Sequence, residues 1–385
     1  MTESVSPFRI DVPQHQLDEL QARLSAMRWP RALPGDDWDS GVPVWWLREM
    51  VEYWRTGYDW RAIEKQLNAY PGFITEIDGQ RIHFLHIRSA EPDALPLILT
   101  HGWPGSFVEF LDMIGPLTDP AAHGGDRRDA FHVVLPSLPG FGFSGPEVVP
   151  EWDNYRTARA WVELMTRLGY DRFGVQGGDA GGAVSPLVAQ AAPDRVVGVH
   201  LNGAPAPMAP GPLTAAEIAQ LSDQEQQIIK GMGEAMALGA GYMAVQTTSP
   251  QTLAYAFTDS PVGQLAWIME KFKAWTFPEE ALPDEVIDRD RLLTNVMLYW
   301  LNAAAGPSAY QTYHQRGGWG SEPNSGIPTG VIQFAVDWGI RKVAETSHTI
   351  VRWTEIRDRG GHFAALEEPE LLTTDIRAFF GPLRN

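Results

Sequence analysis

The stretch Phe173-Gly174-Val175-Gln176-Gly177-Gly178-Asp179-Ala180-Gly181-Gly182 decides how the rest of the chain is read. A short apolar run meets a glycine cluster that carries one carboxylate. An alanine-rich apolar segment follows, from Ala183 to Ala192. That order predicts a strand, a very sharp turn and a helix. In Gly177-x-Asp179-x-Gly181 the glycines flank the tightest point, where only small residues tolerate close backbone approach and unusual φ/ψ. A G-x-S-x-G nucleophile elbow has the same layout, with serine where Asp179 stands. The stretch alone supports two readings: an aspartate presented as a nucleophile, and a glycine-rich helix N-terminus with a capping Asp.

Outward from this stretch, apolar strand candidates alternate with helical patterns. Leu95–Thr100, Phe131–Leu135, Phe173–Gln176 and Val196–Leu201 read as strands. Ala158, Trp161, Met165 and Leu168 mark an amphipathic helix among them. Near-continuous apolar strands separated by helices predict a mostly parallel sheet covered on both faces, hence an α/β fold. The alternation stops between about Ala204 and Gly326, where Ala215–Leu221, Pro261–Trp275 and Leu292–Ala304 are helical in pattern. Strand patterns resume at Thr329–Phe334 and Thr349–Trp353. Towards the N-terminus, Pro13 opens a helix with Leu17, Leu20, Leu24 and Met27 on one face, and a Trp-rich segment continues to Tyr70. Phe73–Ile77 and Arg81–Leu85, joined by Asp78-Gly79, carry a hairpin signature. The expected organisation is an N-terminal segment 1–88 wrapping the core, a core of 89–203 and 327–385, and a helical lid 204–326.

Bulk properties exclude several function classes. With 385 residues, 44% of them apolar, and 15 Trp and 16 Phe, the chain can bury a large core. A formal charge of −18 argues against nucleic acid and anionic membrane partners. The absence of cysteine removes disulfides, Cys-based zinc sites and a thiol nucleophile. No run is apolar enough to span a bilayer, and the N-terminal residues lack a signal-peptide pattern. A soluble, cytoplasmic protein without a membrane anchor is expected, with homo-oligomerisation left open.

A nucleophilic carboxylate requires an oxyanion hole, a base to activate water and an orienter for that base. His101-Gly102-Trp103-Pro104-Gly105-Ser106 directly follows the Leu95–Thr100 strand. Hydrolases with a nucleophile elbow draw one oxyanion N–H from such a loop and the other from the residue after the nucleophile, here Trp103 and Ala180. An ordinary Pro-Gly turn is the competing reading. Arg359-Gly360-Gly361-His362-Phe363 follows the last strand and offers His362 as the base. Phe334-Ala335-Val336-Asp337 ends the preceding strand and offers Asp337 as the orienting acid, with Asp290, Glu355 and Asp358 as rivals. The order nucleophile, acid, histidine is that of the elbow hydrolases. No His-Glu-x-x-His motif and no P-loop Lys-Ser/Thr ending is present, so neither a metal nor a cofactor is expected.

With these motifs assembled, the chain resembles the epoxide hydrolases of the α/β-hydrolase fold, in their microsomal-type branch with an N-terminal epoxide-hydrolase domain. Pro7-Phe8-Arg9-Ile10, His101–Ser106, Leu135-Pro136-Ser137-Leu138-Pro139-Gly140-Phe141-Gly142-Phe143-Ser144 and the Asp179 elbow carry the resemblance. So do Gly241-Tyr242-Met243, Asp259-Ser260-Pro261-Val262-Gly263, Pro328-Thr329-Gly330 and Arg359-Gly360-Gly361-His362-Phe363-Ala364-Ala365. The resemblance implies that Asp179 attacks an epoxide carbon to form a glycol ester. His362, oriented by Asp337, then activates the water that releases a vicinal diol. It also implies two lid tyrosines that hydrogen-bond the epoxide oxygen. Tyr242 matches the first. The second falls on Thr312 by ungapped count from Tyr299-Trp300, and the neighbouring Tyr313 is taken in preference to Tyr310. Two departures stand out: Ala180 where relatives often carry an aromatic residue, and Asp337 where many carry Glu. The expected partners are a small apolar epoxide and water. A carboxylate-nucleophile dehalogenase and a non-catalytic apolar-ligand binder are the alternatives, and detoxification, catabolism and biosynthesis are all open as roles.

Overall fold

The structure is a computed structural model and describes residues 4–35, 37–203, 213–315 and 324–384. The opening residues of the expected lid, 204–212, therefore lie outside the described residues, as do 316–323. The strands are β1 Ser6–Phe8, β2 Gly72–Ile77, β3 Gln80–Ile87, β4 Leu95–Thr100, β5 Phe131–Pro136, β6 Phe173–Gly177, β7 Val196–Asn202, β8 Pro328–Gln333 and β9 Thr349–Glu355. They form a 9-stranded sheet in the order β1-β2-β3-β5-β4-β6-β7-β8-β9. The pairs β1–β2, β2–β3 and β3–β5 are antiparallel. All pairs from β5–β4 to β8–β9 are parallel.

The apolar runs predicted as strands became the middle of this sheet. Every residue of β5 and β6 is buried, because helices cover both faces. The β2–β3 hairpin turns at Asp78 and Gly79, whose φ values of 52° and 79° suit the tight turn that matches strand twist.

Helices α1 Gln14–Ser25, α2 Val44–Thr56 and α3 Trp60–Leu67 precede β2. They pack on the lid side of the molecule. Trp46 Nε1 donates to Asp284 at 2.9 Å, the Tyr53 hydroxyl to Asp290 at 2.8 Å, and Arg23 pairs with Asp259 at 2.7 Å. Helices α4 Leu111–Thr118, α5 Asn154–Arg167 and α6 Ala180–Ala191 belong to the crossovers of the sheet. Between β7 and β8 come α7 Ala215–Ile218, α8 Asp223–Gly239, α9 Gly241–Thr248, α10 Pro250–Asp259, α11 Pro261–Trp275, α12 Pro283–Val286, α13 Arg289–Leu301 and α14 Ala305–Gln315. The pattern read as one helix over Ala215–Leu221 stops at Ile218, because Ser222 and Glu225 form a capping box that starts α8 instead. The chain closes with α15 Arg341–Ala344, α16 Ala364–Glu367 and α17 Pro369–Phe380. Among the described residues no helix is long and apolar enough to cross a membrane, and no group of three or more His, Asp or Glu could hold a metal ion.

Candidate active site

In a parallel sheet the loops that leave the strands open on one edge, so residues distant in sequence meet there. The loops after β4, β6, β8 and β9 bring His101–Ser106, Asp179, Asp337 and His362 to that edge.

Asp179 forms the N-cap of α6 with φ 51° and ψ −123°, a left-handed conformation that a non-glycine residue adopts only when its surroundings impose it. Two glycines make room for it. A Cβ on Gly181 would lie 1.9 Å from the Thr100 carbonyl oxygen, and one on Gly102 would lie 2.4 Å from the Asp179 side chain. The strained turn aims the carboxylate at the backbone of the β4 loop. Trp103 N–H donates to Asp179 Oδ1 at 2.9 Å, and Ala180 N–H donates to the same oxygen at 2.7 Å. The pair of donors expected from the sequence thus converges on one carboxylate oxygen. The other, Oδ2, faces His362 Nε2 at 3.5 Å. Burial alone pushes the Asp179 carboxyl up, but His362 and the two N–H donors outweigh it and hold the group below its usual value. His101 braces the loop from behind. Its Nε2 accepts the Leu138 N–H at 3.1 Å while its Nδ1 meets the Gly102 carbonyl at 3.0 Å, and burial pushes it down to about 4. It is a neutral strut.

His362 reaches Asp179 from the far edge of the sheet, its loop held against the helices between β7 and β8. Its N–H donates to the Trp275 carbonyl at 2.8 Å, and its ring packs against the Trp275 indole at 4.9 Å between centroids. Burial lowers the imidazole, yet the Asp179 bond and charge, with the Asp337 charge, carry it above its ordinary value of 6.5. Asp337 lies just past β8. Its Oδ2 accepts the Phe334 N–H at 2.7 Å, and no hydrogen bond between it and His362 forms among the described residues. The two feel each other electrostatically, and burial pushes the Asp337 carboxyl up to about 6.

Over these groups stands the lid. Tyr242, on α9, stacks on the Trp103 ring at 5.0 Å and 5°, and meets Trp275 edge-on at 5.3 Å. Burial, then the Asp179 charge, raises its phenol far above the ordinary range, so it stays a proton donor at neutral pH. Tyr313 lies on α14, stacked on Tyr310 at 6.3 Å. The Tyr310 hydroxyl accepts the Glu151 N–H at 3.4 Å.

Comparison with known proteins turns this geometry into a family. Residues 5–110 match the family described as "Epoxide hydrolase N terminus", and residues 96–238 match "alpha/beta hydrolase fold". A Stigmatella aurantiaca protein with an epoxide-hydrolase name is 45% identical over 99% of this chain and 86% of its own length. Epoxide hydrolase 1 of Sus scrofa is 34% identical over 99% of this chain and 89% of its own. The crystal structure of juvenile hormone epoxide hydrolase from Bombyx mori superposes with a TM-score of 0.89 at 30% identity, covering 99% of this chain and 95% of that one. The chain belongs to the epoxide hydrolases of the α/β-hydrolase fold.

Two residues of this epoxide hydrolase's site escaped the sequence reading. Glu109 lines the small cavity between Asp179, His362 and Trp103. It closes a capping box with Ser106, whose N–H it accepts at 3.1 Å, and burial pushes its carboxyl up to about 8. The Ser106-x-x-Glu109 spacing was the available signal, although it marks a helix start and says nothing of a cavity. Glu367 lies behind the His362 loop, and burial pushes it up to about 7. In sequence it is one of two adjacent glutamates before Pro369, a pattern that ordinarily marks a solvated helix start.

Proposed function

We propose that this epoxide hydrolase converts an apolar epoxide to a vicinal diol through a covalent ester on Asp179. One observation carries the reading: two backbone N–H groups hold Asp179 Oδ1, while Oδ2 is left towards His362. Oδ2 attacks an oxirane carbon, the ring C–O bond breaks, and the departing oxygen takes a proton from Tyr242, assisted by Tyr313. In the second half, His362 takes a proton from water and the hydroxide adds to the ester carbonyl carbon. The oxyanion that develops on Oδ1 then meets Trp103 N–H and Ala180 N–H, already aimed at it. Collapse expels the diol oxygen, which takes the proton held by His362, and the water's second proton, left on the Asp179 carboxyl, returns to the Tyr242 phenolate. Asp337, in this reading, stabilises the imidazolium by its charge.

Electrostatics favours this division of labour. The Asp179 charge is a large part of what raises His362, and alkylation removes that charge. Burial then acts on the imidazole with less opposition, so His362 becomes neutral when a base is needed. The aromatic wall of Trp103, Tyr242, Trp267 and Trp275 supports an apolar substrate. A phenol beside the nucleophile suits an epoxide oxygen better than a departing halide. Relatives from Bombyx mori and Ctenocephalides felis are named juvenile hormone epoxide hydrolases; for this chain the aromatic wall is what supports an apolar epoxide.

A single turnover in ¹⁸O-labelled water tests the mechanism on a panel of apolar epoxides. The first diol should carry unlabelled oxygen from Asp179, with the label appearing in the protein. Label in the first diol would mean direct attack by water and would sink the covalent route.

A further inference from the structure

The carboxylate of Glu367 makes two backbone contacts that the mechanism above does not use. Its Oε1 accepts the N–H of Phe363, the residue after the base, at 3.1 Å. Its Oε2 accepts the N–H of Phe277, just past the end of lid helix α11, at 3.0 Å. The loop between these contacts is pressed against the lid. A Cβ on Gly361 would lie 2.5 Å from the Trp275 carbonyl oxygen and 2.7 Å from Glu367 Oε1, so only glycine passes there. The rings repeat the arrangement, with Phe272 of α11 stacked on Phe363 at 4.0 Å and 7°, and Trp275 touching both His362 and Tyr242.

We infer that Glu367 is a positioning residue that staples the histidine loop to the end of lid helix α11, so that His362 keeps one fixed relation to Asp179, while Tyr242 is held separately by its stacking on Trp103. The inference rests on His362 acting as the base of the second half-reaction. The physical reason is reach. His362 comes from the edge strand β9, whereas Asp179 follows β6, with β7 and β8 between them. A loop crossing two strand ends needs an anchor on the far side, and both carboxylate oxygens are committed to supplying one. A bidentate acceptor also fixes orientation, which a single contact would leave free to pivot. A glutamine keeps the shape but sets an NH₂ against one of the two N–H donors, and an alanine removes both acceptors.

Rapid-quench single turnovers with styrene oxide, read by intact-protein mass, separate ester formation from ester hydrolysis. Amide exchange at Phe277 and Phe363 reports the staple itself. With Glu367→Gln and Glu367→Ala, ester formation should stay within about threefold, since Asp179 and its donors are untouched. Ester hydrolysis should fall roughly 10- to 100-fold, the cost of a slightly misplaced base, and adduct should accumulate on Asp179. Both amides should lose protection, more in Ala than in Gln. Unchanged hydrolysis in the Ala variant overturns the inference. So does an equal loss in both steps with a lowered Tm, which would make Glu367 a general stabiliser. If wild-type enzyme forms no adduct, the covalent mechanism fails separately. The staple is then judged by exchange alone, standing if both amides are deprotected in Glu367→Ala and falling if either is not.

Discussion

Two histidine–carboxylate pairs lie among the described residues, one between α17 and a face of the parallel sheet and the other at the edge where its strands end, and they are built differently. Behind the sheet, His200 Nε2 meets Asp375 Oδ2 at 3.0 Å, with the two side chains 0% and 3% exposed. The remaining Asp375 oxygen accepts from Arg352 at 2.6 Å and from Thr354 at 2.6 Å. Burial alone would raise Asp375, but these donors overwhelm it and hold the carboxylate far below its usual value. At the front, His362 and Asp179 stand 3.5 Å apart, with their side chains 27% and 24% exposed to the cavity. Around them Glu109 and Asp337 are left short of donors and are pushed up to about 8 and 6. The pair whose carboxylate is fully supplied with donors ties α17 to the sheet. The other pair keeps part of each side chain open to the cavity and sits among groups whose protons are shifted, the setting in which functional groups are commonly found. Identical residue types are set apart by how many donors the fold supplies to each carboxylate.

That contrast can be broken by mutation, starting where the effect is largest. Asp179→Asn should lower kcat by roughly 10⁴-fold, as loss of a member of such a set does, while thermal unfolding shows an unchanged Tm. Asp375→Ala should do the reverse. It strips the partner from a buried His and Arg, costing about 3–5 kcal/mol in denaturant unfolding, with normal turnover per folded molecule. A Tm drop in the first variant and an activity loss in the second would erase the distinction. Tyr242→Phe should slow ester formation by about 10²-fold, the usual cost of one oxyanion donor, and leave hydrolysis of the trapped ester unchanged.

Smaller effects sharpen the comparison through pH. The sign for His362 follows from its raised value: the cationic form is favoured by Asp179, so removing that charge must lower the midpoint. NMR titration of the His362 ring should therefore give a midpoint above 6.5 in the wild type and a lower one in Asp179→Asn. An equal or higher midpoint in the variant would show that the pair is not coupled. Glu109 faces Asp179 and His362, with Ser106 as its backbone donor, and it holds its proton at neutral pH. Glu109→Gln, which keeps a neutral side chain there, should leave activity at pH 7 within a few-fold, about 1 kcal/mol or less. Any decline that the wild type shows through about pH 8 should vanish in that variant.

Much of the fold was legible because its signals are local. The strand read at Leu95–Thr100 is β4, and the helix read at Pro261–Trp275 is α11. The Asp78-Gly79 turn announced its hairpin because the turn demands those residue types. The Gly177-x-Asp179-x-Gly181 spacing was informative for the same reason: close packing against Thr100 admits no side chain at Gly181. Glu109 and Glu367 were not legible. Each sits in an ordinary helical context, and its importance comes from what surrounds it after folding.

The sequence by itself determined the order of strands and helices, the elbow that presents Asp179, and the family to which the chain belongs. These rest on short-range periodicity and on backbone conformations only certain residues can adopt. Tertiary structure alone decided which oxygen of Asp179 is held, that Asp337 turns Oδ2 to the Phe334 N–H, and that Glu367 accepts from both the His362 loop and the chain just past α11. Those outcomes depend on distances between residues brought together from opposite ends of the chain, and on the desolvation that moves their protons. Neither quantity exists until the sheet has closed and the lid has covered its edge.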